Sequence, residues 1–371
     1  MKIGVTGAFG FLGANFVAHL LAQRPATADI VAFCSRTREN PLFDPTLTTR
    51  IPLDVLAADE VREKTRGLDA LVHFAGSVDR TRRRKREVWD VNVLGARNVF
   101  EAALANGIRR LLYISSITVL GACRSGIPIA DESNDVYAPD ARNPNSFRSP
   151  QEALAAARSS LKGDYSFLRK VRLAYYDSKL AGYELAREYH RTRGLPVVIV
   201  LPGTAVGAGD IHYELSELID RVYSNRLAAT VPGGTSFVDA EDFARGAALA
   251  LEKGTDGESY IVSGRDEDNL SYRQFMRLVA ATARAGGRKV RTDFAVVPRW
   301  LSLPAAAVME GFLPHPSITT ALVRAGAMTH SFTSRKSLGQ LGYSPARQLE
   351  QGIAQCHDFL EKRRGPRGRD P

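Results

Sequence analysis

Residues 2–16, "KIGVTGAFGFLGANF", set a short apolar run directly before glycines 7, 10 and 13, and an amphipathic helical pattern follows at once. Glycine permits a tight turn, lets the backbone approach a pyrophosphate and lets helix pack closely on strand. The first N–H groups of the helix and its positive dipole end then face the anion. Gly7, Phe9, Gly10, Phe11, Leu12 and Gly13 are therefore the candidate residues for contact with a dinucleotide cofactor.

The same order repeats downstream. "DIVAFCS", "ALVHFAG", "RLLYISS" and "PVVIVLPG" read as buried strands with helical patterns between them, which predicts an α/β, Rossmann-type, doubly wound parallel sheet. The dinucleotide-binding part spans 1–205, with an insertion at about 122–170. A substrate region follows over 206–236, then a return to the sheet domain over 237–265 and a smaller, mainly helical substrate-binding region over 266–364. Residues 365–371 read as a disordered tail.

Composition narrows the class. The apolar and charged fractions of this 371-residue chain are ordinary for a globular protein. No stretch approaches the roughly 18 apolar residues of a membrane span, and the first residues lack the pattern of a signal peptide. Cys34, Cys123 and Cys356 are far apart, so neither a disulfide framework nor a metal site is expected, and a cytoplasmic setting fits. The net charge of +10 is scattered except at "RTRRRKR" (80–86) and in the C-terminal tail, and no nucleic-acid motif accompanies it.

At the end of the second strand an acid would bind the ribose hydroxyls of NAD, but the chain reads "AFCSRTREN" there. Ser35 and Arg36, with Arg38 as helper, can hold a 2′-phosphate instead. NADP(H) is therefore preferred, with NAD(H) as the alternative. The competing reading is that these arginines only solvate a loop.

In "RLAYYDSKLAGYE", Tyr175 and Lys179 lie four apart on one helix face, where an ammonium beside a phenol favours the phenolate. Tyr176, three residues before Lys179, is also within helical reach.

Taken in order, the glycine turn, "HFAG", "VNVLGARNV", "ISSITVLG", "YYDSKLAGYE" and "VIVLPGTAVGAGD" resemble the extended short-chain dehydrogenase/reductase family, within the NAD-dependent epimerase/dehydratase superfamily. The stretches "SFVDAEDFARGAALALEKG" and "SRKSLGQLGYSPARQ" look most like its dihydroflavonol-reductase and 3β-hydroxysteroid-dehydrogenase branches. The family motif Y-x-x-x-K selects Tyr175, and Ser116 matches the family's serine. Thr118 is a second candidate hydroxyl, facing the same way if the chain stays extended.

The resemblance further implies adenine contacts at Asp54 and Val55, a loop over the cofactor at Phe74, Ala75 and Gly76, and a structural or proton-relay Asn92. Pro202 and Thr204 would lie near the nicotinamide. Taken without the resemblance, Asp54 reads equally as a helix cap and Asn92 as an ordinary helix residue.

These readings converge on an NADP(H)-dependent reductase or dehydrogenase interconverting a ketone and a secondary alcohol on a hydrophobic small molecule, with a homodimer as candidate assembly. A nucleotide-sugar epimerase and a non-catalytic NADP-binding regulatory protein are the alternatives. Ser116 and Tyr175 are 59 positions apart, beyond the family's usual interval. The excursion between them is expected to form a lid, a pocket wall or an oligomer contact. "PRWLSLPAAAVMEGFLPHPSI" resembles an apolar segment placed over the pocket in lipid-handling relatives, although a core helix explains it equally well.

Overall fold

The computed structural model describes residues 1–23, 29–34, 40–78, 84–123, 127–138, 145–211, 215–312 and 319–364. In chain order its strands begin with β1 (Lys2–Thr6), β2 (Asp29–Cys34), β3 (Thr49–Pro52), β4 (Ala70–His73), β5 (Arg110–Ile114), β6 (Val197–Pro202) and β7 (Thr204–Val206). They continue with β8 (Ala229–Thr230), β9 (Gly234–Asp239), β10 (Ser259–Val262), β11 (Asn269–Ser271), β12 (Ala295–Val296) and β13 (Thr329–His330).

Seven of these form one parallel sheet in the order β10-β6-β5-β4-β1-β2-β3. The order reverses between β1 and β4, and ligands of such sheets bind outside the carboxyl ends of the strands at that switch point.

The continuous apolar strands divide by the two-residue alternation of the pleat. On one face lie Leu71, Leu111, Tyr113, Val197, Ile199 and Leu201. They pack against α4 (Ala96–Ala105) and α6 (Ala174–Arg193), which follow α1 (Phe11–Gln23), α2 (Ala58–Lys64), α3 (Lys85–Trp89) and α5 (Pro150–Leu161) in a chain-order numbering. On the other face, Ile3, Val5, Val72, Leu112, Ile114, Val198 and Val200 meet α1 and, beyond α7 (Ser216–Tyr223), α8 (Ala240–Lys253). Burying both faces is what makes such strands read as unbroken apolar runs.

A second, smaller sheet has the order β11-β9-β13, with β7 paired to β9. Around it Phe237, Phe275, Val279 and Ile353 form a separate core with α7, α9 (Tyr272–Ala285) and, after α10 (Arg299–Phe312), α11 (Thr320–Gly326) and α12 (Arg335–Leu341), with α13 (Leu349–Arg364). Among the described residues no helix is long and apolar enough to cross a membrane.

Candidate active site

Three connections leave the carboxyl ends of β1, β4 and β5 side by side. After β1, Gly7 turns with φ +69°, and Gly10 N–H bonds back to Gly7 O at 2.9 Å. A Cβ at Gly13 would lie 2.2 Å from Gly7 O, and one at Gly7 would lie 2.8 Å from Ala75 N. No other residue fits either position without moving backbone, so the turn leaves main chain open to a ligand at the start of α1.

The turn is braced from outside. Asn15 donates to Phe11 O (2.9 Å) and Ala208 O (3.0 Å), while Asn40 donates to Gly209 O (3.0 Å) and Phe9 O (3.4 Å). Phe9 packs on Phe43, and the Arg50 guanidinium stands 4.7 Å over the Phe9 ring. The sequence reading missed Asn15, Asn40, Phe43 and Arg50. For Asn15 and Arg50 the signal was polarity within a buried pattern: an Asn on the inner face of α1 and an Arg in a strand.

After β4, His73 Nδ1 and Thr6 Oγ1 are 2.7 Å apart, and Ala75 N–H donates to Thr6 Oγ1 at 3.3 Å. Burial, aided by the Lys179 charge, pushes His73 down to about 3, so it is neutral at ordinary pH. Phe74 turns its ring onto Phe16 and Phe243 in the core. What the loop offers the crevice is therefore backbone at Ala75 and Gly76.

Asn92 lies in a one-turn π-helix, Asp90–Gly95, between α3 and α4. Such widened turns reorient a side chain that an α-helix would hold elsewhere. Its Oδ1 accepts from Ser77 N–H at 2.8 Å, and its Nδ2 donates to Ser77 O and to Ser178 Oγ, each at 2.9 Å. One amide thus ties the loop after β4 to α6.

Helix α6 presents Tyr175 and Lys179 on one face. Lys179 is buried and its Nζ donates to Ile114 O, at the end of β5, at 3.1 Å. A methyl at Gly76 would lie 3.5 Å from that Nζ and 3.1 Å from Asn92 Oδ1. The space in front of the ammonium is thus a cradle that a side chain would fill, which suits a ribose and nicotinamide of a bound dinucleotide. Close by, the Tyr113 hydroxyl is buried without a hydrogen-bond partner among the described residues. Burial, with Tyr175 adjacent, raises its pKa.

After β5 the chain does not stay extended. Ser116 caps a 3-10 turn, Ile117–Leu120, and its Oγ accepts from both Thr118 N–H (3.2 Å) and Thr118 Oγ1 (3.0 Å). The two hydroxyls are therefore neighbours because of a turn, and the expectation of an extended pair is corrected. With its acceptor sites occupied, Ser116 retains an O–H to donate.

The other expected positions divide. Val55 packs on Gly95, and its carbonyl accepts from Asn98 at 3.0 Å. Asp54 accepts from Leu56 N–H at 2.9 Å in a turn, and the residue that caps α2 is Ala57, so the helix-cap reading of Asp54 fails. Pro202 ends β6 beside β5, whereas the Thr204 hydroxyl sits 3.2 Å from Thr235 on β9. Ser35, Arg36 and Arg38 lie outside the described residues.

The excursion docks on the same helix. Asp177, fully buried, accepts from Ser146 N–H (2.6 Å) and Ser146 Oγ (2.7 Å), and burial pushes it up to about 6. Ala130 exchanges backbone bonds of 2.9 Å with Ser331 and Thr333, bringing the excursion to the strand that carries His330. The Tyr176 ring lies 5.9 Å from that of Tyr175 and 5.8 Å, edge to face, from His330. Burial pushes His330 down to about 4, and its Nε2 has no hydrogen-bond partner among the described residues.

A doubly wound sheet with a glycine turn, a buried lysine and a polar strand end at its switch point defines a nicotinamide-dinucleotide oxidoreductase. The chain belongs to the NAD dependent epimerase/dehydratase family, whose model matches residues 3–147 and 159–263, and within it to the extended short-chain dehydrogenase/reductases. It is 27% identical to a putative dihydroflavonol 4-reductase of Synechocystis sp., covering 96% of this chain and 94% of that protein. It is 25% identical to a 4-hydroxy-2-methyl-3-oxo-4-farnesyl-3,4-dihydroquinoline-1-oxide ketoreductase of Stigmatella aurantiaca, covering 92% of each.

The crystal structure of gox2253 superimposes with a TM-score of 0.75 at 26% identity over 98% of both chains. The fold is shared with a dTDP-glucose 4,6-dehydratase from Streptomyces venezuelae holding NAD (TM-score 0.70, 22% identity, 98% of both chains). RMD from Pseudomonas aeruginosa, complexed with NADPH, also shares it (TM-score 0.63, 18% identity, 98% of this chain and 100% of that one).

Proposed function

We propose that this protein is an NADP(H)-dependent ketoreductase that interconverts a ketone and a secondary alcohol on a hydrophobic small molecule. The observation that carries the reading is the position of Lys179, one helical turn from Tyr175, with its Nζ on Ile114 O and facing Gly76. The names of the reductase and ketoreductase relatives support a carbonyl substrate.

The turn from Gly7 to Gly13 and the loop at Ala75 and Gly76 would hold the dinucleotide by backbone, with Val55 and Asp54 at the adenine end. Ser35 and Arg36 would hold the 2′-phosphate. When bound, the nicotinamide supplies or accepts the hydride. Lys179 positions the ribose and lends positive charge to the Tyr175 phenol. Tyr175 gives its proton to the developing alkoxide, or takes it back in the oxidative direction. Ser116 donates its remaining O–H to the substrate oxygen, and Thr118 fixes the orientation of Ser116.

Tyr176, His330 and the docked excursion form the wall against which the rest of the substrate packs. Burial keeps His330 neutral, and an apolar ketone suits such a wall.

The test is turnover of a ketone panel by the purified protein with NADPH and with NADH. Tyr175→Phe should lower kcat by about 10²- to 10⁴-fold while NADPH still binds. Arg36→Ala should raise KM for NADPH and not for NADH. Undiminished turnover by Tyr175→Phe would overturn the mechanism.

A further inference from the structure

Helix α10 is amphipathic with its sides reversed. Beyond Arg299 at its start, its exposed residues are Trp300, Leu301, Pro304, Ala305, Ala307, Val308, Gly311 and Phe312, without one polar side chain. Trp300 is 76% exposed, Leu301 53%, Val308 59% and Phe312 85%. The polar residues Ser302 and Glu310 lie on the opposite, partly buried side with Ala306, and Glu310 accepts from Thr320 Oγ1 at 2.8 Å. A surface helix normally puts its apolar stripe inward; here the stripe meets solvent, and a contiguous patch of this kind marks an interaction surface.

The occupant follows from charge and size. The segment leading into the helix, residues 284–299, contains Arg284, Arg288, Lys289, Arg291 and Arg299, all exposed. Its one acid, Asp293, is engaged by Arg273 and Arg277, each at 2.8 Å. Exposed Trp and Phe beside a basic cluster are the signature of a helix lying in a lipid headgroup layer. A second copy of the chain fits less well. Fourteen residues make a strip about 21 Å long and about 10 Å wide, or about 200 Å² against the roughly 800 Å² per partner of a stable dimer.

We propose that α10 docks the protein peripherally on an anionic phospholipid surface, with Trp300, Leu301, Val308 and Phe312 in the acyl boundary and the basic segment at the headgroups. This surface is independent of the catalytic reading, and its test needs no substrate.

The full-length protein is mixed with phosphatidylcholine vesicles, with or without about a third phosphatidylserine, and sedimented. Trp89 is fully buried, so a change in tryptophan emission on mixing reports Trp300. Cosedimentation and a blue-shifted emission with the anionic vesicles are expected, weakening with salt. Val308→Glu with Phe312→Glu should reduce partitioning about tenfold or more while NADPH binding is retained, which establishes that the variant is folded. Absence of partitioning by the parent protein would overturn the proposal. So would partitioning that the double substitution leaves unchanged, or concentration-dependent self-association that the substitution abolishes in the absence of lipid binding.

Discussion

The glycine turn after β1 and the excursion between β5 and α6 are held by different forces. In the turn, the contacts run between backbone atoms a few residues apart, Gly10 to Gly7 and Gly13 against Gly7. In the excursion, they run between buried and half-buried side chains far apart in sequence: Asp177 to Ser146, Trp89 to Ser160 at 2.9 Å, and Tyr165 to Asp90. A turn made of main chain admits almost no substitution. A segment held by side-chain pairs can be rebuilt pair by pair.

Gly13→Val is the strongest way to break the comparison. Its side chain must enter a space where a single Cβ already stands 2.2 Å from a carbonyl oxygen. The expected result is a destabilisation of about 3 kcal/mol and loss of detectable NADPH binding, read by thermal unfolding and calorimetric titration. A stable variant that still binds NADPH would mean that the backbone of the turn does not hold the cofactor.

Asp177→Ala probes the other side and should cost about 2 kcal/mol, because it removes the acceptor of the half-buried Ser146 N–H and Oγ–H. Asp177→Asn separates the hydrogen bond from the charge, since its oxygen can still accept from that N–H. The Asp177 carboxyl rises from 3.8 to about 6 in the fold. Between about pH 4 and pH 6 the native state therefore keeps a proton that the unfolded chain releases, and the contribution of Asp177 to stability falls as pH rises through that window. The Asn variant should lack this slope and gain on the parent protein above pH 6, as urea unfolding across pH would reveal. Parallel stability curves for the two proteins would mean that Asp177 carries no such burden.

What could be read in advance follows the same division. Gly7, Gly10 and Gly13, and the pair Tyr175 and Lys179, are local patterns, and their geometry is dictated within one turn of chain. Asn15, Asn40, Ser178 and Asp177 bind partners 31 to 193 residues away, and a single sequence does not carry that information. Thr118 lies between the two cases. Its place beside Ser116 was expected from an extended strand, yet Ser-x-Thr also favours a turn closed by the serine hydroxyl, and the turn forms.

One part of the excursion behaves like the glycine turn, and this permits the finest test. Helix α5 carries its own start signal: Ser149 accepts from Glu152 N–H at 3.2 Å, Pro150 opens the helix, and Glu152 accepts from Arg148 N–H at 2.7 Å. Ser149→Ala should cost about 1 kcal/mol. If the helix is a local unit, hydrogen exchange should speed up within 150–161 and stay unchanged at the glycine turn and around Ser146. Faster exchange extending to Ser146 and the start of α6 would instead mean that the excursion opens as one body. Its side-chain pairs would then act cooperatively, and the excursion could not be rebuilt one pair at a time.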